Sequence, residues 1–112
     1  MSRDIQLHLA EAHRARQAGQ RDEAREHLEA VLEIDSEQPA ARNALGLDAL
    51  ERKDPRSAVE HFEIACKRDS AAPPLWMNLA RGQRELGDFE AERGALEKVL
   101  TIDQRDLLAL VR

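Results

Sequence analysis

The sequence is poor in aromatic residues. It has no tyrosine, one tryptophan (Trp76) and two phenylalanines (Phe62 and Phe89) among 112 residues. A core with so few rings must be built mainly from leucine, alanine, valine and isoleucine. Because strands favour aromatic and β-branched side chains, this composition favours closely packed helices over sheets. The length is that of one domain.

Cysteine and long apolar runs are equally scarce. The single cysteine, Cys66, leaves no partner for an internal disulfide. No segment approaches the ~20 apolar residues of a membrane-spanning helix. The first residues, which include Asp4 and His8, lack the apolar stretch of a secretion signal. These features predict a cytoplasmic protein that has no membrane segment.

An excess of positive charge is also missing. The chain has 17 basic and 22 acidic residues, for a net charge of −5. Domains that bind phosphate backbones usually have a net positive charge. We therefore do not expect nucleic acid as a partner.

What the sequence does have is a repeat of 34 residues. Asp35, Asp69 and Asp103 recur at this interval (69 − 35 and 103 − 69), and so do Pro39 and Pro73. Each interval reads as a helix, a short break and a second helix, which is typical of stacked helical repeats. We predict an all-α fold of three helix-turn-helix hairpins in a right-handed solenoid, followed by a partial seventh helix. The predicted units are 4–38, 39–72, 73–106 and the start of a cap or fourth unit at 107–112.

Local signals mark the helix ends within the units. Glycine is common just past a helix, so Gly19 is expected to end the first one. Asp22 is expected to cap the second helix, and Asp54-Pro55 repeats a start signal of cap and proline.

The unit resembles the tetratricopeptide repeat, whose pattern is W-x2-L-G-x2-Y followed by A-x3-F-x2-A. In the second unit the pattern appears as Arg42, Leu45, Gly46, Ala49, Ala58, Phe62 and Ala65. In the third it appears as Trp76, Leu79, Ala80, Gln83, Glu92, Leu96 and Val99. The first unit is weaker, with His8, Glu11, Ala12 and Ala15, and then Ala24, Leu28 and Val31. The resemblance covers essentially the whole chain.

One position departs from the family pattern. The small residue where paired helices touch is Ala24, then Ala58, then Glu92. Because an unpaired buried charge is costly, the Glu92 carboxylate must reach solvent or find a partner. We expect the third hairpin to be splayed or locally rearranged.

The chain is also similar to the N-terminal repeat region of some bacterial aspartyl/asparaginyl β-hydroxylases. The segments that carry this likeness are WMNLAR, LGDFEAERGALEKVL and DLLALVR. That resemblance implies a bacterial protein. It also implies a scaffold role beside an oxygenase domain, which would not fit within these 112 residues.

The resemblance places a ligand groove on the first helices of the hairpins, which line the inner curve in this family. It implies a peptide-binding row of Leu9, His13, Arg16, Asn43, Leu47, Leu50, Met77, Asn78, Arg81 and Arg84. We expect Leu47, Leu50 and Met77 to be exposed apolar groups. The arginines are expected to meet an acidic side chain or a C-terminal carboxylate, which a guanidinium binds with two hydrogen bonds. The alternative is that both leucines pack against a neighbouring second helix and the arginines are ordinary surface.

Catalytic groupings are not evident. His27 and His61 are 34 residues apart on second helices, with no third ligand beside them to complete a metal site. Cys66 falls on the packing stripe, where a thiol is usually a small core residue. We predict no enzyme activity, no metal and no cofactor.

The leading hypothesis is therefore a non-catalytic module that binds a peptide or a neighbouring domain. The scaffold of a larger enzyme is one alternative. Self-association is another, through an end face whose residues are Leu96, Leu100, Leu107, Leu108 and Leu110, and it would give an end-to-end homodimer.

Overall fold

The computed structural model describes the backbone of residues 2–110 and the side chains of residues 2–105. This part of the chain consists of helices and has no strands, which confirms the all-α prediction. The helices are α1 (Arg3–Gln17), α2 (Arg21–Ile34), α3 (Pro39–Glu51), α4 (Pro55–Arg68), α5 (Pro73–Leu86) and α6 (Phe89–Leu110). None of these helices is both long enough and apolar enough to cross a membrane.

Consecutive helices pack as three hairpins, α1–α2, α3–α4 and α5–α6. The hairpins stack unequally, because α4 packs closely on α5 whereas α2 and α3 share a much smaller interface. The molecule measures 41 × 36 × 23 Å, and its smallest dimension matches two layers of helices, each about 10 Å thick. This is a helical solenoid; its handedness stays a prediction.

The turn inside each hairpin has the same backbone shape. Gly19, Lys53 and Gly87, spaced 34 residues apart, all adopt the left-handed conformation, with φ of 77°, 64° and 86°. The next amide in each turn donates back to a carbonyl five residues earlier, as in Gln20 N to Ala15 O at 2.8 Å. This is the usual glycine-terminated helix end, and Lys53 adopts it without being glycine.

The second helices begin with capping side chains in two of the three hairpins. Asp54 Oδ1 accepts from Ser57 N at 3.2 Å, and Asp88 Oδ1 accepts from Ala91 N at the same distance. The equivalent residue in the first hairpin, Gln20, makes no such bond. The expectation that Asp22 caps α2 is wrong, since Asp22 lies inside the first turn of α2 and pairs with Arg25 instead.

The expected break after Asp103 is absent. The helix α6 continues to Leu110, so the separate seventh helix predicted at 107–112 is not formed by the described residues. Pro39 and Pro73 begin the second and third units, whereas residue 107, at the equivalent place, is a leucine that does not interrupt a helix.

The core formed by the side chains of residues 2–105 is divided into two clusters. One lies in the first hairpin and α3, and consists of Ile5, Ala12, Leu28, Val31, Ala41 and Leu45. The other joins α3 to α6 and consists of Ala49, Leu50, Ala58, Phe62, Ala65, Cys66, Leu75, Leu79, Ala80 and Ala95. Phe62 is completely buried at the centre of the second cluster.

The third hairpin accommodates Glu92 without splaying. The Glu92 side chain is 13% exposed, and its Oε2 accepts from Arg84 Nε at 2.8 Å. The helices α5 and α6 pack together much as the other pairs do. The carboxylate therefore finds a partner, and the expected splaying is wrong.

Candidate functional site

The first helices of the three hairpins, α1, α3 and α5, present the side that we call the α1–α3–α5 face. Two side-chain contacts connect them. Arg16 of α1 forms an ion pair with Glu51 of α3. Asn78 of α5 donates from Nδ2 to Asn43 Oδ1 of α3 at 2.9 Å. Three of the predicted site residues, Arg16, Asn43 and Asn78, are therefore located where these helices meet.

The predicted residues of α5 divide into free and engaged groups. Met77 is 51% exposed, and Arg81 is exposed and makes no ion pair among the described side chains. Arg84 is exposed but is held by Glu92, as described above. Of the two cations expected at this end of the groove, Arg81 is the one without an acidic partner in residues 2–105.

The leucines of α3 do not form an exposed row. Leu50 is only 4% exposed and belongs to the core cluster around Phe62, and Leu47 is half-buried against the same cluster. Their expected exposure is wrong, because both side chains pack into the cluster that joins α3 to α6. As in the alternative left open above, both leucines are packed, but the cluster contains residues of their own hairpin as well as of the next one. Leu9 is also half-buried, against the first core cluster.

A cavity of about 220 Å³ lies between α1, α2 and α3, at the loosely packed interface of the first two hairpins. Predicted site residues Leu9, His13 and Arg16 form one wall of it. The remaining lining residues are Ala12, Arg21, Ala24, Arg25, Leu28, Ala40, Ala44, Asp48 and Glu51.

A group of charges closes one side of this cavity. Asp48 is 7% exposed, yet three arginines surround it: Arg21 at 3.2 Å, Arg25 at 3.3 Å and Arg52 at 2.9 Å. Glu51 binds Arg21 as well, with 3.3 Å between Oε2 and Nη2. Because each carboxylate oxygen has a cationic donor, the cluster offsets the cost of burying Asp48.

The electrostatics of Asp48 follow from two opposing effects. Burial by itself raises the pKa of Asp48, because it disfavours the charged form. Hydrogen bonds from Arg52 and Arg21, together with the charge of Arg25, outweigh burial and leave this pKa below its usual range. Asp48 is therefore a carboxylate at neutral pH and is unsuited to act as a general acid.

Asp48 and its arginines were not identified from the sequence. The helical period places Asp48 beside Ala41 and Leu45, on the packed side of α3, but an aspartate is not a residue type expected in a core. A signal does exist at the repeat interval, because Asp48 occupies the place of Gly82 in the third unit (82 − 48 = 34). A buried glycine and a charged residue at equivalent places indicate that the two interfaces differ.

The two histidines of the second helices pair with first-helix residues of their own hairpins. His27 Nδ1 lies 3.0 Å from His8 Nδ1, and His61 Nδ1 lies 3.1 Å from Arg42 Nη1. Burial, followed by the charge of Arg42, lowers the pKa of His61. His27 and His61 thus occupy equivalent positions, as expected, but each faces its own first helix.

One group of possible metal ligands occurs among the described residues. Oxygen and nitrogen atoms of Glu11, Glu23 and His27 lie within 4.8 Å of one another. Arg14 already pairs with both carboxylates, at 3.1 Å from Glu11 and 2.8 Å from Glu23. A cation would have to displace this guanidinium.

Cys66 is a core residue. It is 1% exposed, and burial, followed by the nearby charges of Glu63 and Asp69, raises the pKa of Cys66 to about 12. A thiol must ionise to act as a nucleophile, so this side chain is inert at neutral pH.

A second, shallower groove lies between α4 and α6, lined by Cys66, Trp76, Gln83, Gly94 and Lys98 among others. Gln83 Oε1 is buried there and has no hydrogen-bond partner among the described residues. The Trp76 ring contacts Lys98, whose Nζ lies 5.9 Å from the ring centroid.

Comparison with known families matches residues 9–73 and 43–106 to the tetratricopeptide repeat. A search of curated proteins found no match, so the likeness to aspartyl/asparaginyl β-hydroxylases stays a prediction. Tetratricopeptide repeats generally mediate protein–protein interaction and are typically non-catalytic. The 34-residue hairpins, the shared turn geometry and the family match lead to one conclusion: the chain belongs to the tetratricopeptide repeat family.

Proposed function

We propose that the chain is a non-catalytic interaction module that binds an extended peptide segment of a protein partner across the α1–α3–α5 face. The observation that supports this most directly is the Asn43–Asn78 pair, which joins α3 to α5 on that face. Both side chains are half-buried, and the pair links two hairpins, since Asn43 belongs to α3 and Asn78 to α5.

The amide pair has the chemistry that a peptide backbone needs. Asn78 Nδ2 donates to Asn43 Oδ1, which leaves Asn43 Nδ2 as a donor and Asn78 Oδ1 as an acceptor without partners in residues 2–105. An extended peptide offers one N–H and one C=O per residue. The pair therefore binds the backbone of a peptide of any sequence. Selectivity comes from the residues next to the pair.

The neighbours favour an apolar side chain beside an acidic one. Met77 precedes Asn78 and is half exposed, and a flexible thioether adapts to varied apolar partners. Arg81 lies one helical turn further on and has no acidic partner among the described side chains. Because Arg84 is held by Glu92, preference for an acidic side chain or a C-terminal carboxylate rests on Arg81.

A random peptide library displayed on phage tests the proposal. Peptides selected on the wild-type chain are expected to bind at least tenfold more weakly to the Asn43→Ala/Asn78→Ala variant. The matched control is Glu26→Ala/Glu60→Ala, which changes two exposed, equivalent positions on the second helices. Selected peptides that bind the asparagine variant as tightly as the wild type would refute this site.

Self-association is a second candidate, supported by one feature of α6. Phe89, Leu96 and Leu100 are 67%, 37% and 61% exposed, and their spacing places them on one side of the helix. The other members of the predicted end face, Leu107, Leu108 and Leu110, lie outside the described side chains.

Sedimentation velocity of the pure chain distinguishes this candidate. A dimer that Leu96→Glu/Leu100→Glu converts to monomer, and that Ile34→Glu leaves intact, supports the end face; Ile34 is an exposed apolar residue of α2. A monomer at all concentrations contradicts it.

A further inference from the structure

The cavity between the first two hairpins corresponds to a space that is filled between the second and third. Several of its lining residues, shifted by 34, correspond to residues that lie against the Phe62 ring or in the core cluster around it. Ala12 corresponds to Gly46 and Asp48 to Gly82, the two glycines that Phe62 lies against. Leu28 corresponds to Phe62 itself.

Three replacements account for the empty space. At the second interface, Phe62 and Leu50 are buried and Leu47 packs on them. Their equivalents at the first interface are Leu28, Arg16 and His13, in the same order. Leu28 lacks the ring, and Arg16 and His13 are exposed on the α1–α3–α5 face. The space that core side chains fill at the second interface is therefore open at the first.

We infer that this cavity receives an aromatic side chain of the peptide bound on the α1–α3–α5 face. The inference rests on the proposed function and names the anchor residue of its ligand. A ring is the chemical group that Phe62 provides at the equivalent place and that Leu28 does not. An apolar cavity of ~150 Å³ is enough to bind benzene, so about 220 Å³ admits a phenyl or indole ring.

The charges around the cavity select the residue beside the ring. Arg16, Arg21 and Arg25 line it, opposed by two lining carboxylates, Asp48 and Glu51, which leaves one positive charge in excess. Arg16 and Arg21 both pair with Glu51 and are about 40% exposed. An acidic residue next to the aromatic anchor is therefore favoured over a basic one.

The cavity is tested first on the protein alone, with indole as the probe. In amide-resolved NMR, millimolar indole is expected to shift signals of Ala12, Leu28 and Ala44. Ala44→Leu, which fills the cavity, should abolish these shifts, whereas Ala10→Leu, at the exposed equivalent place in α1, should not. Equal indole binding by Ala44→Leu would overturn the inference.

The peptide ligand is tested with the library described above. Selected peptides are expected to share an aromatic residue, and Ala44→Leu should weaken them at least tenfold without lowering Tm. Ala40→Leu, at an exposed part of the lining, provides a second blocking variant.

The two proposals fail in distinguishable ways. If Asn43→Ala/Asn78→Ala weakens peptide binding but Ala44→Leu and Ala40→Leu do not, the aromatic anchor is overturned and the proposed peptide binding stands. A wild-type dimer that Ala44→Leu dissociates identifies a second copy as the occupant, and this also overturns the inference.

Discussion

Phe62 shows how one side chain determines the packing of two hairpins. Its ring lies against the backbone of Gly46 in its own hairpin and contacts Gly82 in the next, so α3, α4 and α5 meet around it. The first unit has Ala12 and Leu28 at the equivalent places, a larger first-helix residue with a smaller second-helix one. Close packing makes such pairs of positions interdependent.

We predict that Gly46→Ala destabilises the protein. The new Cβ would lie 2.7 Å from Phe62 Cδ1, and overpacking of this kind costs about 1–3 kcal/mol. That exceeds the about 0.5–1 kcal/mol that alanine gains over glycine in a helix. Urea unfolding monitored by circular dichroism measures the change.

Two further variants act as controls for Gly46→Ala. Gly94→Ala, whose Cβ meets nothing within 4 Å, should instead stabilise by about 0.5–1 kcal/mol. Gly46→Ala/Phe62→Leu reproduces the pair found in the first unit and should lose less stability than the two single changes added together. If Gly46→Ala is as stable as the wild type, the ring does not restrict this position.

Asp48 gives a prediction that depends on pH. Asp48→Asn would leave three arginines around an uncharged, buried side chain, which we expect to cost about 1–3 kcal/mol at neutral pH. The pKa of Asp48 is lowered in the folded state, so its contribution is present above the ordinary value of about 3.9. It is lost as the pH falls through the lower folded pKa.

The stability difference between wild type and Asp48→Asn should therefore shrink on acidification. Urea unfolding in steps from about pH 7 to about pH 2 measures it. Asp22→Asn removes another carboxylate that pairs with Arg25, but Asp22 is 93% exposed, so this control should change stability by less than about 0.5 kcal/mol. A constant difference across the pH range would show that the charge of Asp48 is not what stabilises the cluster.

At the scale of the helix, the three hairpins begin their second helices with unequal caps. Asp54 and Asp88 bond to backbone amides, whereas Gln20 does not. We predict that Gln20→Asp stabilises α2 by about 0.5–1 kcal/mol, since it supplies the missing acceptor at an equivalent position. Thermal unfolding should show a raised Tm for Gln20→Asp and little change for Gln20→Ala; equal Tm values would contradict the cap.

The turn between α3 and α4 offers a second change at this scale. Lys53 is held at a φ of 64°, where glycine is unstrained and other residues cost about 1 kcal/mol or more. Lys53→Gly should therefore stabilise the protein, and Gly19→Ala, at the same place in the first hairpin, should destabilise it. Chemical unfolding of both variants tests the pair, and a loss of stability in Lys53→Gly would contradict it.

At the scale of the whole molecule, the solenoid is unevenly joined. A cavity and a small α2–α3 interface separate the first hairpin from a continuous core that extends from α3 to α6. In repeat proteins, stability is approximately a sum of unit and interface contributions. The first hairpin should therefore open with a lower free energy than the rest.

Hydrogen exchange measured by mass spectrometry tests this difference. Amides of α1 and α2 are expected to exchange faster than those of α5, although the α1–α2 and α5–α6 hairpins are both terminal. Ala44→Leu, which fills the cavity, should reduce this difference in exchange rate. Cys66, which is 1% exposed, should be alkylated only on the slower opening of the main core. Equal protection of the two terminal hairpins would contradict the uneven joining.

The sequence by itself determined the all-α class, the 34-residue unit and nearly all helix starts. These follow from signals within a few residues of chain, such as Pro39, Pro55 and Pro73 at first helical positions and Gly19 and Gly87 at the turns. Local backbone preference acts over that same short distance, which is why the pattern alone sufficed. After Asp103 the sequence has no proline or glycine signal, and the break expected there did not occur.

Only the tertiary structure decided which side chains of the face are free. Leu50 is buried, Arg84 is held by Glu92, and a cavity bordered by Asp48 opens beside His13 and Arg16. Each of these outcomes depends on residues of another helix, brought close by the stacking of hairpins. The physical reason is that a periodic pattern gives the direction of a side chain to within part of a helical turn, whereas burial depends on the volume and charge that face it across the interface.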